Sequence, residues 1–121
     1  MQRYQLLSFF IVMIFLQQQV AAQNNQAIQN YNGAKVSKNI AQTLQDSLNL
    51  TGTQKKQLES INMELHTQKM NARSQYAGQD SLLRRKIQLI ENTRDSLYRP
   101  ILGETKYLLY RQNKYKLLRA N

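Results

Sequence analysis

From Val36 to Leu118 the apolar residues of this chain recur every three, four or seven positions, and no useful length of strand-like alternation appears. A period near 3.6 collects such residues on one face of a helix, whereas a half-buried strand needs a period of two. The chain is therefore expected to be all-α. Val36, Ile40, Leu44 and Leu48 repeat in fours and mark a first helix over about residues 35–48. Thr51 followed by Gln54 has the spacing of a capping box and starts a second helix, with Leu58, Ile61, Leu65, Ala72 and Tyr76 on its face and Gly78 as its stop. Asp80 or Ser81 caps a third helix, whose Leu83, Ile87, Ile90, Leu97 and Ile101 form a heptad-like seam with Arg94 as its one polar step. Pro100, the only proline, is expected to end or kink this helix near residues 98–99. A fourth segment runs from Gly103 to about Leu118, with Leu108, Tyr115 and Leu118 on one face and Tyr107, Tyr110 and Leu117 widening it. All four glycines fall at these proposed boundaries. The short connection at 78–80 makes the second and third helices a long antiparallel hairpin, with a short helix before it and a basic helix after it.

The N-terminus obeys a different logic. Arg3 precedes an apolar run of 11 residues, Leu6 to Leu16, and Val20 and Ala22 place small side chains before Gln23. That is the anatomy of a secretory signal peptide over residues 1–22. The run is well short of the roughly 20 residues that span a bilayer. Cleavage there would leave 121 − 22 = 99 residues. Residues 23–34 are polar and rich in Asn and Gln, which reads as a flexible arm. Residues 35–121 then form one helical domain, small enough that oligomerisation or a partner would help it.

The chain has no cysteine, so neither a disulfide nor a lipid-anchored cysteine is available and helix packing must carry stability. Lys and Arg outnumber Asp and Glu by 17 to 7, and by 16 to 7 once Arg3 is removed. Such an excess attracts acidic polypeptides or anionic membrane surfaces, and export takes it away from nucleic acid. Catalysis, cofactors and metals are not expected. His66 is the sole histidine and reads as an ordinary helix-surface residue, because its nearest acid, Glu64, faces elsewhere on a helix. Met63 and Met70 are read as packing residues. Glu91 and Asp95 lie four apart, with Arg94 and Arg99 expected to neutralise them on a solvated face. A nucleophilic triad would rest on His66 alone.

Leu50-Thr51-Gly52-Thr53-Gln54 follows a short amphipathic helix and opens a long one. It resembles the LTxxQ motif of the Spy/CpxP family of periplasmic proteins. Leu50, Thr51 and Gln54 carry the resemblance, and their role is structural: Thr51 caps, Gln54 reaches back and Leu50 pins the entering chain. Family members carry a second copy about fifty residues on. The equivalent here is Leu102-Gly103-Glu104-Thr105-Lys106, in which leucine is kept, Gly103 replaces the capping threonine and Lys106 replaces glutamine. The resemblance covers roughly residues 36–118. The abundance of Asn and Gln and the leader ending Ala-Ala-Gln look like small envelope proteins of the Bacteroidetes.

The resemblance implies an ATP-independent periplasmic chaperone or envelope-stress protein, a homodimer as in the family, holding unfolded or acidic clients on a basic helical surface. The candidate client-binding residues are Lys55, Lys56, Lys69, Arg73, Arg84, Arg85 and Lys86, with Met63, Met70 and Tyr76 as apolar spots. Long-range charge would speed capture, and methionine repacks readily around varied side chains. Two alternatives compete. Residues 98–119 interleave tyrosine, leucine and basic residues, as in a binder of membrane surfaces or anionic glycolipids. A regulatory protein docking on a membrane sensor fits the same resemblance.

Overall fold

The computed structural model describes residues 2–119, with the side chains of residues 25–119. Three helices follow in order: α1 (Gln2–Leu48), α2 (Gly52–Gln75) and α3 (Asp80–Leu117). Among the described residues there is no strand, and the fold is all-α. The chain divides into two compact units, Met1–Asn32 and Gly33–Asn121. The expected signal peptide lies where side chains are outside the described residues. No described helix is long and apolar enough to cross a membrane.

In the first unit, α1 runs helical through the stretch expected to be an irregular arm, and side chains 25–32 are exposed. Gln and Ala are adequate helix formers, and neither proline nor a capping signal interrupts them.

In the second unit, α1 lies antiparallel to α2. Gly33, Ser37 and Ala41, four apart, give α1 a slim edge where it meets α2. The expected stripe through Val36 therefore shifts at its N-terminal end: Val36 is 37% exposed, and Ser37 takes the buried place. Gly33 opens the second unit but does not interrupt the helix, which runs through it. A Cβ there would stand 2.7 Å from His66 Nε2 and closer still to its Cδ2, so only glycine allows this approach.

α2 ends at Tyr76, whose N–H bonds the Ala72 carbonyl, and Gly78 at φ 78° reverses the chain. Glycine adopts that angle without steric cost. α3 then returns along α2. Its N-cap is Gln79, which makes no side-chain cap bond; Asp80, the expected cap, instead sits in the first turn, where the helix dipole favours an acid. The buried positions of α3 are Arg94, Tyr98, Leu102, Tyr110 and Leu117. The anticipated seam therefore moves by one residue: Leu97 is 39% exposed, and Ile101 only packs against the core. A straight helix drifts from a strict heptad, and Tyr98 rather than Leu97 has a partner for its polar end. Tyr98 OH donates to Asn62 Oδ1, and Asn62 Nδ2 donates to the Ser37 carbonyl at 3.3 Å. This buried chain of bonds joins all three helices.

Pro100 does not break the helix. It is exposed, and α3 continues past it. The interruption falls at Gly103, with φ 74° and ψ 163°, a conformation essentially reserved for glycine. The expected fourth helix is the part of α3 beyond this kink. The core collects Ile40, Ala41, Leu44, Leu48, Leu50, Leu58, Tyr98, Leu102, Tyr110 and Leu117, where the end of α1, the start of α2 and the kinked region of α3 converge.

Candidate functional site

The LTxxQ-like segment occupies that convergence. Asn49, at φ 52°, takes the left-handed conformation that ends α1, which asparagine tolerates better than most residues. Leu50 is buried, its N–H bonded to the Gln45 carbonyl at 3.1 Å and its own carbonyl accepting from Gln45 Nε2 at 3.3 Å. Thr51 caps α2. Its Oγ1 accepts from the Gln54 N–H at 3.1 Å, and Gln54 Oε1 accepts from the Thr51 N–H at 2.9 Å. The expected capping box is complete, and two of the helix's orphan donors are satisfied.

The same glutamine has a third partner. Gln54 Nε2 donates to the Ile101 carbonyl at 2.9 Å. Ile101 immediately precedes Leu102, the first residue of the second motif copy. In return Lys106, at the glutamine's position in that copy, donates from Nζ to the Asn49 carbonyl at 2.8 Å. Asn49 immediately precedes Leu50. The two copies thus clasp each other reciprocally, each reaching for the carbonyl just before the other's leucine. Thr51 and Gly103 share ψ near 160° (161° and 163°) but have φ of opposite sign. The positive φ accounts for a glycine where the first copy has threonine. Sequence reasoning aligned the two copies without finding the exchange. The signal was present in their equal spacing and in a polar side chain kept at the fifth position of each.

The cationic residues are distributed unevenly. Lys69 is not free: it bonds Glu91 at 2.6 Å across α2 and α3, and buried Arg94 lies 3.4 Å from the same carboxylate. Asp95 pairs with Lys114 at 2.9 Å and Arg111 at 3.4 Å, not with Arg99. Arg99 instead bridges the kink to Glu104 through bonds of 2.8 and 3.1 Å. The expectation that Arg94 and Arg99 neutralise the Glu91–Asp95 pair on a solvated face holds only for the contact between Arg94 and Glu91. The reason is that the helix beyond Gly103 returns Arg111 and Lys114 to Asp95. Burial works against the Asp95 carboxylate, but bonds from Lys114 and Tyr110, with the Lys114 and Arg111 charges, hold its pKa below the usual value. Burial raises the Tyr98 hydroxyl to about 12 and also raises that of Tyr110, whose OH donates to Asp95.

Lys56, Arg73, Arg84 and Arg85 are exposed, and among the described residues no acid lies within ion-pair distance of them. Lys55 donates to Gln42 of α1. Lys86 sits 5.7 Å above the Tyr76 ring. Met63, Met70 and Tyr76 are half-buried. Lys56 and Met63 share a groove of about 420 Å³ with Ala34, Ser37, Glu59 and Ser60. His66 is not the plain surface residue expected of it: its ring presses on Gly33, and its Nε2 is buried without a hydrogen-bond partner. Among the described residues no three of His, Cys, Asp and Glu converge as metal ligands.

Compared with family models, curated proteins and solved structures, the chain has no match.

Proposed function

We propose that this chain is a Spy/CpxP-like periplasmic protein, exported by its N-terminal leader without lipidation, that holds unfolded clients on a basic helical surface without ATP. The observation that carries the reading is the reciprocal clasp between the two motif copies. An isolated capping box is common among helices, but two copies 102 − 50 = 52 residues apart that bond each other's preceding carbonyl give the motif a reason to occur twice. α2 and the first part of α3 form a hairpin that carries Lys56, Arg73, Arg84 and Arg85 as unneutralised charge. Their field attracts acidic unfolded segments over roughly a Debye length, about 8–10 Å at moderate salt. Met63 in the groove beside Lys56, and Tyr76 beneath Lys86, offer adaptable apolar contact. The reading involves no covalent chemistry and no cofactor.

Light scattering from an unfolding model client, with the processed protein added and no nucleotide, tests this. Suppression of aggregation at near-stoichiometric ratio is expected, weakening with salt and in the Lys56→Gln/Arg84→Gln/Arg85→Gln variant. An absence of suppression at every ratio would refute client holding and favour docking on a membrane sensor.

A further inference from the structure

Beyond the kink at Gly103, α3 turns Tyr110 and Leu117 inward and leaves three large apolar side chains outside. Leu108 is 59% exposed, Leu109 45% and Tyr115 80%. The sequence places Leu108 and Tyr115 with Leu118 on one face; of the three, only Leu118 packs against the core. Leu108 and Tyr115 are seven residues apart, so they share one side of the helix about 10 Å from each other along its axis. Lys116 lies beside this stripe, and Arg119, just past the end of the helix, lines a groove with Tyr115; both cations are exposed. The only acid beyond the kink is Glu104, which is engaged by Arg99.

We infer that this outer face is a docking surface for an anionic lipid bilayer, distinct from the hairpin cations of the client-holding reading. A leucine and a tyrosine flanked by Lys and Arg is the composition of a helix lying in a membrane interface. The apolar side chains enter the headgroup boundary, the tyrosine ring keeps its hydroxyl in the wet layer and the long cations reach lipid phosphates. Charge selects the occupant. A second copy of this chain would bring the same cations against these, whereas an anionic bilayer offers opposite charge across the whole face.

Co-sedimentation with vesicles tests the assignment, using processed protein whose N-terminus is verified by mass spectrometry and is identical in every variant. Binding is expected to phosphatidylglycerol/phosphatidylcholine vesicles and much less to phosphatidylcholine alone. Leu108→Ser/Tyr115→Ser should weaken it at least about tenfold. Lys116→Gln/Arg119→Gln should weaken it about thirtyfold. All four positions are exposed, and unchanged circular dichroism would verify folding. The inference is overturned by failure to bind anionic vesicles, or by equal binding of the Leu108→Ser/Tyr115→Ser variant. It is also overturned if sedimentation equilibrium reveals a dimer that this variant abolishes, since a second copy would then cover the face.

Discussion

One side chain, that of Gln54, closes the α2 cap and ties it to α3 47 residues away. Replacement by alanine removes both bonds and should cost about 2 kcal/mol in urea unfolding, at roughly 1 kcal/mol per net hydrogen bond. Gln54→Glu separates the two roles. A carboxylate still accepts from the Thr51 N–H but cannot donate to the Ile101 carbonyl, so the cap survives while the clasp fails. Stability should fall between that of the wild type and that of Gln54→Ala; a glutamate variant as stable as wild type would show that the clasp contributes nothing. Gly33 offers a second residue-scale test. In Gly33→Ala the new methyl meets the His66 ring, so the ring must swing out or α1 must lift, at about 1–3 kcal/mol. His66→Ala made in that background should recover most of the loss, and a double-mutant cycle would measure the coupling. Neither position stood out in the sequence for this reason. His66 read as a surface residue because nothing local says which residue of another helix faces it.

At the scale of elements, the kink at Gly103 decides what the remainder of α3, up to Leu117, can reach. A Cβ added at Gly103 would have no neighbour within 4 Å, so Gly103→Ala isolates backbone strain. The cost should be about 1–3 kcal/mol by thermal unfolding, for a residue forced into a glycine-only conformation. A neutral result would mean that the helix straightens, and the Asp95–Lys114 bond should then be lost as well. That bond, with those of Tyr110 and Arg111, should make the fold sensitive to acid. Because the Asp95 pKa is depressed in the folded state, its contribution is present in full above the ordinary carboxylate range and disappears as pH falls through the lower folded value. Urea midpoints measured from pH 6 down to pH 2 should fall most steeply below about pH 4. Asp95→Asn should be less stable at neutral pH by about 2 kcal/mol and should flatten that slope. Elements were the most legible level in the sequence. Thr51–Gln54, Gly78 and the apolar spacing announced the hairpin, because caps, turns and helical periods are local. The seam of α3 was misplaced by one residue, because whether Leu97 or Tyr98 turns inward depends on Asn62, which the sequence keeps 36 positions away from Tyr98.

For the whole molecule, an excess of ten positive charges makes self-repulsion the dominant long-range term. The melting temperature should therefore rise when ionic strength goes from about 0.01 M to about 0.15 M, as the Debye length shrinks from about 30 Å to about 8 Å. A fall instead would show that the five ion pairs among the described residues outweigh the repulsion. The sequence by itself determined the all-α class, the hairpin, the capping box and the absence of any disulfide, all of which follow from period, short-range hydrogen bonding or composition. The resemblance set Leu102–Lys106 against Leu50–Gln54 as a second, degenerate copy. Only the tertiary structure decided that the copies grip each other, that Lys69 is spent on Glu91 while Arg84 and Arg85 are not, and that Leu108 and Tyr115 face outward. Those outcomes depend on which residues meet across helices. Helical periodicity gives each side chain a direction around its own axis, but the partner in that direction exists only once the helices have packed.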